Sequence, residues 1–268
     1  MSKGLLDPKV DFVFKNIFGS PNHPEILISF LNATLKAKKK IVNVDIKKTD
    51  IEKQYIEDKY SRLDVKATTS NDEIINIEIQ LKNENNMVKR SLYYLSKMYE
   101  EQLNEKEDYS KLVRTVCINI LNFKYLKTDN FHTGYRFKEI ESNEELTDIM
   151  EVHFIEIPKL QDSSDEKDML VAWTEFLKDP ESEKVRGLEL SIEEIRQAKD
   201  ELIRMSNDKK QRELYDMRAN SLRDKISELN AAKREGIEEV ARNMKKNELS
   251  IEMISKLTGL RVDEIDKL

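Results

Sequence analysis

Three polar side chains have the types and spacing to hold a hard cation: Asp64, Glu78 and Gln80. They lie in the stretch 61–82. There Leu63, Val65 and Ala67 alternate with Arg62, Asp64 and Lys66, and Ile75, Ile77, Ile79 and Leu81 alternate with Asn76, Glu78, Gln80 and Lys82. Alternation with period two marks strands with one buried face. Between the runs, Thr69-Ser70-Asn71-Asp72-Glu73 is polar and turn-forming. A hairpin symmetric about Asn71 sets Lys66 opposite Asn76, Asp64 opposite Glu78 and Arg62 opposite Gln80. Asp64 and Glu78 then share a face with Cβ atoms roughly 5 Å apart. That separation suits two carboxylates on one divalent cation. Gln80 projects from the same face, as do Lys66 and Lys82. The expectation is a solvent-facing cluster; the alternative is an ordinary hairpin with a wet, charged face.

A second pair of residues has spacing suited to phosphate. Arg90 and Tyr94 lie four apart in a helix predicted over 87–104, on a stripe with Lys97, while Val88, Leu92, Leu95, Tyr99 and Leu103 face inward. The same spacing also suits an arginine packed on a tyrosine ring. Near the start, Asp11 and Lys15 share one face of a helix expected to open with Asp7 as cap and Pro8 in the first turn. Val10, Phe14, Ile17 and Phe18 make its apolar face.

These groups need a scaffold, and the chain can build one. Its 268 residues are 38% hydrophobic and 37% charged, enough for a core wrapped in solvated helices. Gly19-Ser20-Pro21 ends the first helix and a second follows at about 24–37. Ile41–Ile46 and Gln54–Asp58 read as short strands, Val113–Phe123 as a central apolar strand and Glu151–Ile157 as another. His132 is expected in a connecting segment. A helix carrying Trp173, Phe176 and Leu177 closes the core. Strands mixed with flanking helices predict an α/β fold. The expected division is a core domain at 1–185 and a helical arm at 186–268. The arm ends in a small helix-turn-helix-like tail around Thr258-Gly259. Sparse apolar positions along the arm, such as Leu214, Met217 and Ile226, allow self-association, or packing back on the core. Asp263, Glu264 and Asp266 in the last helix disfavour contact with a DNA backbone.

Composition excludes several classes. The only cysteine, Cys117, rules out an intrachain disulfide. No apolar run approaches the ~20 residues of a membrane helix, and the expected compartment is the cytoplasm. Three histidines without ligand spacing give no zinc site, and no glycine-rich phosphate loop or serine nucleophile elbow is present. The net charge of −6 opposes indiscriminate binding to nucleic acid. The charge is uneven, however: residues 1–48 hold nine lysines and four acids. Such a segment can hold phosphates, or its lysines can merely complement a helix C-terminus.

The motifs together resemble the Rpn-type PD-(D/E)XK nuclease family transposases, the recombination-promoting nucleases. They are Asp11-Phe-Val-Phe-Lys-Asn-Ile-Phe-Gly19, Phe30-Leu-Asn-Ala-Thr-Leu35, Asp64-Val65, Glu78-Ile-Gln80, Arg90-Ser-Leu-Tyr-Tyr94 and the tail around Leu249 to Leu260. The resemblance implies a restriction-endonuclease-like core, a mixed central sheet flanked by helices. It also implies Mg²⁺-dependent or other divalent-metal-dependent cleavage of DNA. Asp64 and Glu78 would be metal ligands, Gln80 would stand in the lysine position and Asp11 would be the helix-borne acid. Lys15, Lys66, Lys82, Arg90 and Tyr94 then become the candidates for holding DNA, with Lys66 or Lys82 supplying the charge that Gln80 lacks. No triad of the transposition type is visible.

Overall fold

The computed structural model describes residues 4–36, 39–47, 65–165 and 167–268. The chain divides into two compact units, Met1–Tyr215 and Asp216–Leu268.

The first unit is built on a six-stranded mixed sheet. Its strands are β1 (Val44–Lys47), β2 (Val65–Thr69), β3 (Ile74–Gln80), β4 (Thr115–Leu121), β5 (His132–Lys138) and β6 (Glu145–Glu156), in the order β1-β2-β3-β4-β6-β5. β3, β4 and β6 run parallel; the other pairings are antiparallel. β4 is buried along its whole length, as expected of a central strand covered on both faces. The hairpin has the register read from the sequence: Lys66 pairs with Asn76, Val65 with Ile77 and Ala67 with Ile75. The Asp64–Glu78 pairing lies outside the described residues, as does the strand expected at Gln54–Asp58.

Alternation along the strands splits the sheet into two faces. Val65, Ala67, Ile75, Ile77, Ile79, Val116, Ile118 and Ile120 point into the larger core. Helices α1 (Asp11–Phe18), α2 (Pro24–Leu35), α4 (Met169–Lys178), α5 (Glu183–Glu189) and α6 (Glu193–Asn207) supply the rest of that core. Trp173 is its largest fully buried side chain, edge-on to Phe18 at 5.3 Å and to Phe176 at 6.0 Å. α1 starts later than its cap signal suggested. Asp7 closes a turn with Lys9 and Val10, and Pro8 sits in that turn rather than in the helix. α2 ends at Lys36, whose φ of 46° lies in the left-handed region.

The other sheet face is covered by α3 (Met87–Glu100), the crossover between parallel β3 and β4. Met87, Tyr94, Leu95 and Met98 pack there on Cys117, Leu121, Val152 and Phe154. The inward stripe expected for this helix is therefore corrected: Val88 and Leu92 are exposed, while Ser91 and Tyr94 are buried. His132 lies in edge strand β5, not in a connection.

The first unit also runs well past residue 185. Ile195, Ala198, Leu202 and Met205 recur every three or four residues and bury one side of α6 in the core. Residues of the expected arm up to Tyr215 thus belong to the sheet unit.

The second unit contains the distal part of α7 (Lys209–Lys246), α8 (Ile251–Thr258) and α9 (Val262–Asp266). Ala241, Ile254, Leu260 and Ile265 form its small core. Ser250 caps α8, and Gly259 takes a φ of 74° that permits the tight turn between the two short helices. Glu264 is spent inside this unit, accepting from the Arg261 amide and pairing with Arg234.

Candidate active site

Glu78 and Gln80 sit at the C-terminal half of β3, two apart and on one face. That face is not open to solvent. α3 lies over it, and Glu78 is only 1% exposed. A carboxylate at such a place needs compensation. Part of it comes from Arg90, whose Nε donates to Glu78 Oε2 at 3.1 Å. The other oxygen, Oε1, is buried with no hydrogen-bond partner among the described residues. Burial raises the pKa of Glu78 above the usual carboxylate range, against the opposing pull of Arg90 and Asn76.

The polar groups around Glu78 form a small buried layer. Asn119 faces Glu78 across the β3–β4 pairing. It accepts from Ser91 Oγ of α3 at 2.8 Å and donates to the His153 carbonyl of β6 at 3.0 Å. Asn76, one pleat before Glu78, is also buried. Asn119 and Ser91 thus fix the helix that carries Arg90 to the strand opposite Glu78. The sequence carried a signal for them: Asn119 is an isolated amide in a β-branched apolar run, and Ser91 follows Arg90 directly.

The remaining candidates are placed as follows. Asp64 lies outside the described residues. Gln80, half-buried, pairs with Leu121 at the end of the β3–β4 ladder. Asp11 is the first residue of α1, and its carboxylate accepts from the Phe12 amide at 2.7 Å. α1 packs on the opposite sheet face from Glu78. Lys15, in the last turn of α1, lines a groove with Asn16, His23, Glu201 and Arg204. Lys66 is on the Glu78 face, with its ammonium 3.8 Å from Glu101 at the end of α3. Lys82 is half-buried, just beyond β3. The Arg90 guanidinium lies over the Tyr94 ring, 5.4 Å from its centroid, so the arginine-on-tyrosine packing occurs. Tyr94 itself is buried.

A second polar network, unforeseen from sequence, borders the larger core. Arg114 bridges Glu73 and Glu151, and Arg136 joins Glu151 to Glu145. His153 hydrogen-bonds Glu151 at 2.6 Å and His132 at 2.9 Å. Burial opposes the Glu151 charge, yet the hydrogen bonds from His153 and Arg114 outweigh it and bring its pKa down to about 2. His132 moves from 6.5 down to about 4, through burial first and then the neighbouring His153 and Lys36. Gly134 fits against the His153 ring, where a Cβ would come within 3.1 Å of it.

A mixed sheet flanked by helices, with an acid and an amide two apart on an inner strand, is the architecture that the sequence resemblance implies. A family model described as PD-(D/E)XK nuclease family transposase matches residues 8–232. The chain belongs to this family, which assigns it a nuclease or transposase-like role and DNA as the class of substrate. Comparison with curated proteins and with solved structures returns no match. Members of the family generally use divalent metal ions. Among the described residues no group of three or more His, Cys, Asp or Glu is placed to hold one. Glu78 still fits such an ion: a carboxylate oxygen donor of the kind hard cations take, with one oxygen unpartnered among the described residues. No helix among the described residues is long and apolar enough to cross a membrane.

Proposed function

We propose that the protein is a Mg²⁺-dependent DNA endonuclease that hydrolyses phosphodiester bonds, serving recombination, mobile-element movement or defence. The observation that carries this reading is the buried Glu78 carboxylate, whose Oε1 has no hydrogen-bond partner among the described residues. In this reading Asp64 and Glu78 hold the cation; Asp11, expected from the resemblance as the helix-borne acid, is carried by α1 on the opposite sheet face and is left out of the shell. When bound, the cation supplies charge stabilisation at the phosphoryl group. Hydrolysis adds the oxygen of a water to phosphorus and returns a proton to the leaving ester oxygen. The Gln80 amide orients that water by hydrogen bonding but brings no charge. Lys66 and Lys82 lie close enough in sequence to supply it. Arg90, stacked on Tyr94, offers a fork suited to phosphate; Lys15, on α1 over the opposite sheet face, would be a separate basic contact.

A second reading, a catalytically degenerate nuclease fold used for binding or assembly, is favoured by one observation: Glu78 already has a counter-ion in Arg90. Incubating supercoiled plasmid with the purified chain, with Mg²⁺ and with a chelator, separates the two. Cation-dependent nicking that Asp64→Ala abolishes supports the endonuclease; an untouched plasmid under every cation tried supports the degenerate fold.

A further inference from the structure

Arg90 pairs one oxygen of Glu78, and the other has no hydrogen-bond partner among the described residues. The arginine stands at a boundary. Its side chain is 22% exposed, whereas that of Glu78 is 2% exposed. Burial works against its charge, but Glu78, Tyr94 and Glu84 outweigh that effect. Glu84 is exposed in the segment between β3 and α3, so the field that favours the guanidinium extends from the buried carboxylate to the surface. Beneath the guanidinium, the buried Tyr94 ring gives a fixed platform. A long, flexible stem rooted on α3 can keep that stacking while the fork turns outward.

A divalent cation on Glu78 would face the guanidinium at close range where water is scarce, and like charges there repel strongly. We infer that Arg90 is an exchangeable counter-ion: it neutralises Glu78 while no cation is bound, and passes to a substrate phosphate when a divalent cation takes the carboxylate. This rests on the reading of Glu78 as a cation ligand. The two events then favour each other. The cation frees the guanidinium for phosphate, and the phosphate draws it off the carboxylate. Coupling between binding sites is reciprocal, so DNA tightens cation binding by the same factor that the cation tightens DNA binding. Without DNA, Arg90 competes with the cation and keeps its affinity low. The device would restrain the site until both substrate and cation are present.

The test is calorimetric titration of Mg²⁺ into the full chain without DNA. It compares the native protein with Arg90→Gln and Glu78→Gln under one buffer condition. Removing the competitor should tighten Mg²⁺ binding about fivefold or more, the lower range of typical coupling, and Glu78→Gln should take up none. If Arg90→Gln does not fold, Arg90→Met replaces it, keeping an apolar stem over Tyr94 without the charge. Equal or weaker Mg²⁺ binding by the Arg90 variant, with Glu78→Gln still silent, overturns the exchange and leaves Glu78 as a ligand. Native-like binding by Glu78→Gln, or no uptake by any chain at millimolar Mg²⁺, removes the underlying reading as well.

Discussion

At the scale of single residues, the site turns on what a carboxylate and an amide can each do two positions apart on β3. Arg90 offsets part of the cost of burying the Glu78 charge. Gln80 is neutral in any state, so its part in catalysis is limited to placing a water. If that part is real, Gln80→Ala should slow DNA cleavage by roughly 10²-fold, the loss that misplacing a reacting group brings. Gln80→Lys should retain activity or raise it, by bringing in the missing ammonium. The measurement is the initial nicking rate under one Mg²⁺ condition. A Gln80→Ala protein that cuts as fast as the native chain would exclude Gln80 from the chemistry. Lys66→Ala and Lys82→Ala, assayed alongside, show whether either lysine supplies the charge.

At the scale of elements, α3 is held to the sheet by a polar clasp as well as by apolar packing. Asn119→Ala would leave the Ser91 hydroxyl only the Met87 carbonyl of its own helix and would remove the side-chain donor to the His153 carbonyl in a buried layer. Leaving buried polar groups unpaired costs about 1–3 kcal/mol, so the urea midpoint should fall accordingly with little change in slope. Ser91→Ala removes the hydroxyl itself and should cost less. A loss below about 0.5 kcal/mol for Asn119→Ala would mean that the clasp does not hold the helix. The β5–β6 pair predicts a pH effect. His132 has a folded pKa of about 4 against an ordinary 6.5. The unfolded chain therefore binds more protons between those values, and stability present above pH 6.5 is lost as pH falls toward 4. Glu151, lowered to about 2 from 4.5, continues the loss below 4.5. Thermal melts from pH 7 to pH 4 should show a decline that His132→Asn reduces; an unchanged slope would contradict this account of His132.

The elements also show which features the sequence makes legible. The β2–β3 register follows from period-two alternation around a polar turn, and Lys66 does face Asn76. The burial of Glu78 does not follow. An alternating strand reads as half wet, and only the β3–α3–β4 crossover brings a helix over its polar side. The inner stripe of α3 is obscured because Val88 and Leu92 have helical spacing equal to that of Met87, Ser91 and Leu95. The stripe that wins is the one able to meet Asn119 and Glu78. β5 hides its strand character behind Gly134 and a bulge near Arg136. α6 hides its core face behind dense charge, since only Ile195, Ala198, Leu202 and Met205 mark it.

For the whole molecule, the family match ends at residue 232, within the helical region that follows the sheet unit. The expected role of the C-terminal arm in self-association is a proposal. Met217, Ile226 and Val240, exposed on α7, are among the apolar positions available for it. Sedimentation velocity over a wide concentration range should show a concentration-dependent dimer that Met217→Glu weakens, and a monomer throughout would dismiss the idea. The central claim is that Glu78 serves DNA cleavage. Its most direct test is the nicking rate of supercoiled plasmid by native protein and by Glu78→Gln in Mg²⁺, with matched thermal melts showing both folded. Loss of an interaction worth several kcal/mol at the transition state predicts a fall of roughly 10²-fold or more. A folded Glu78→Gln protein that nicks at the native rate would contradict it.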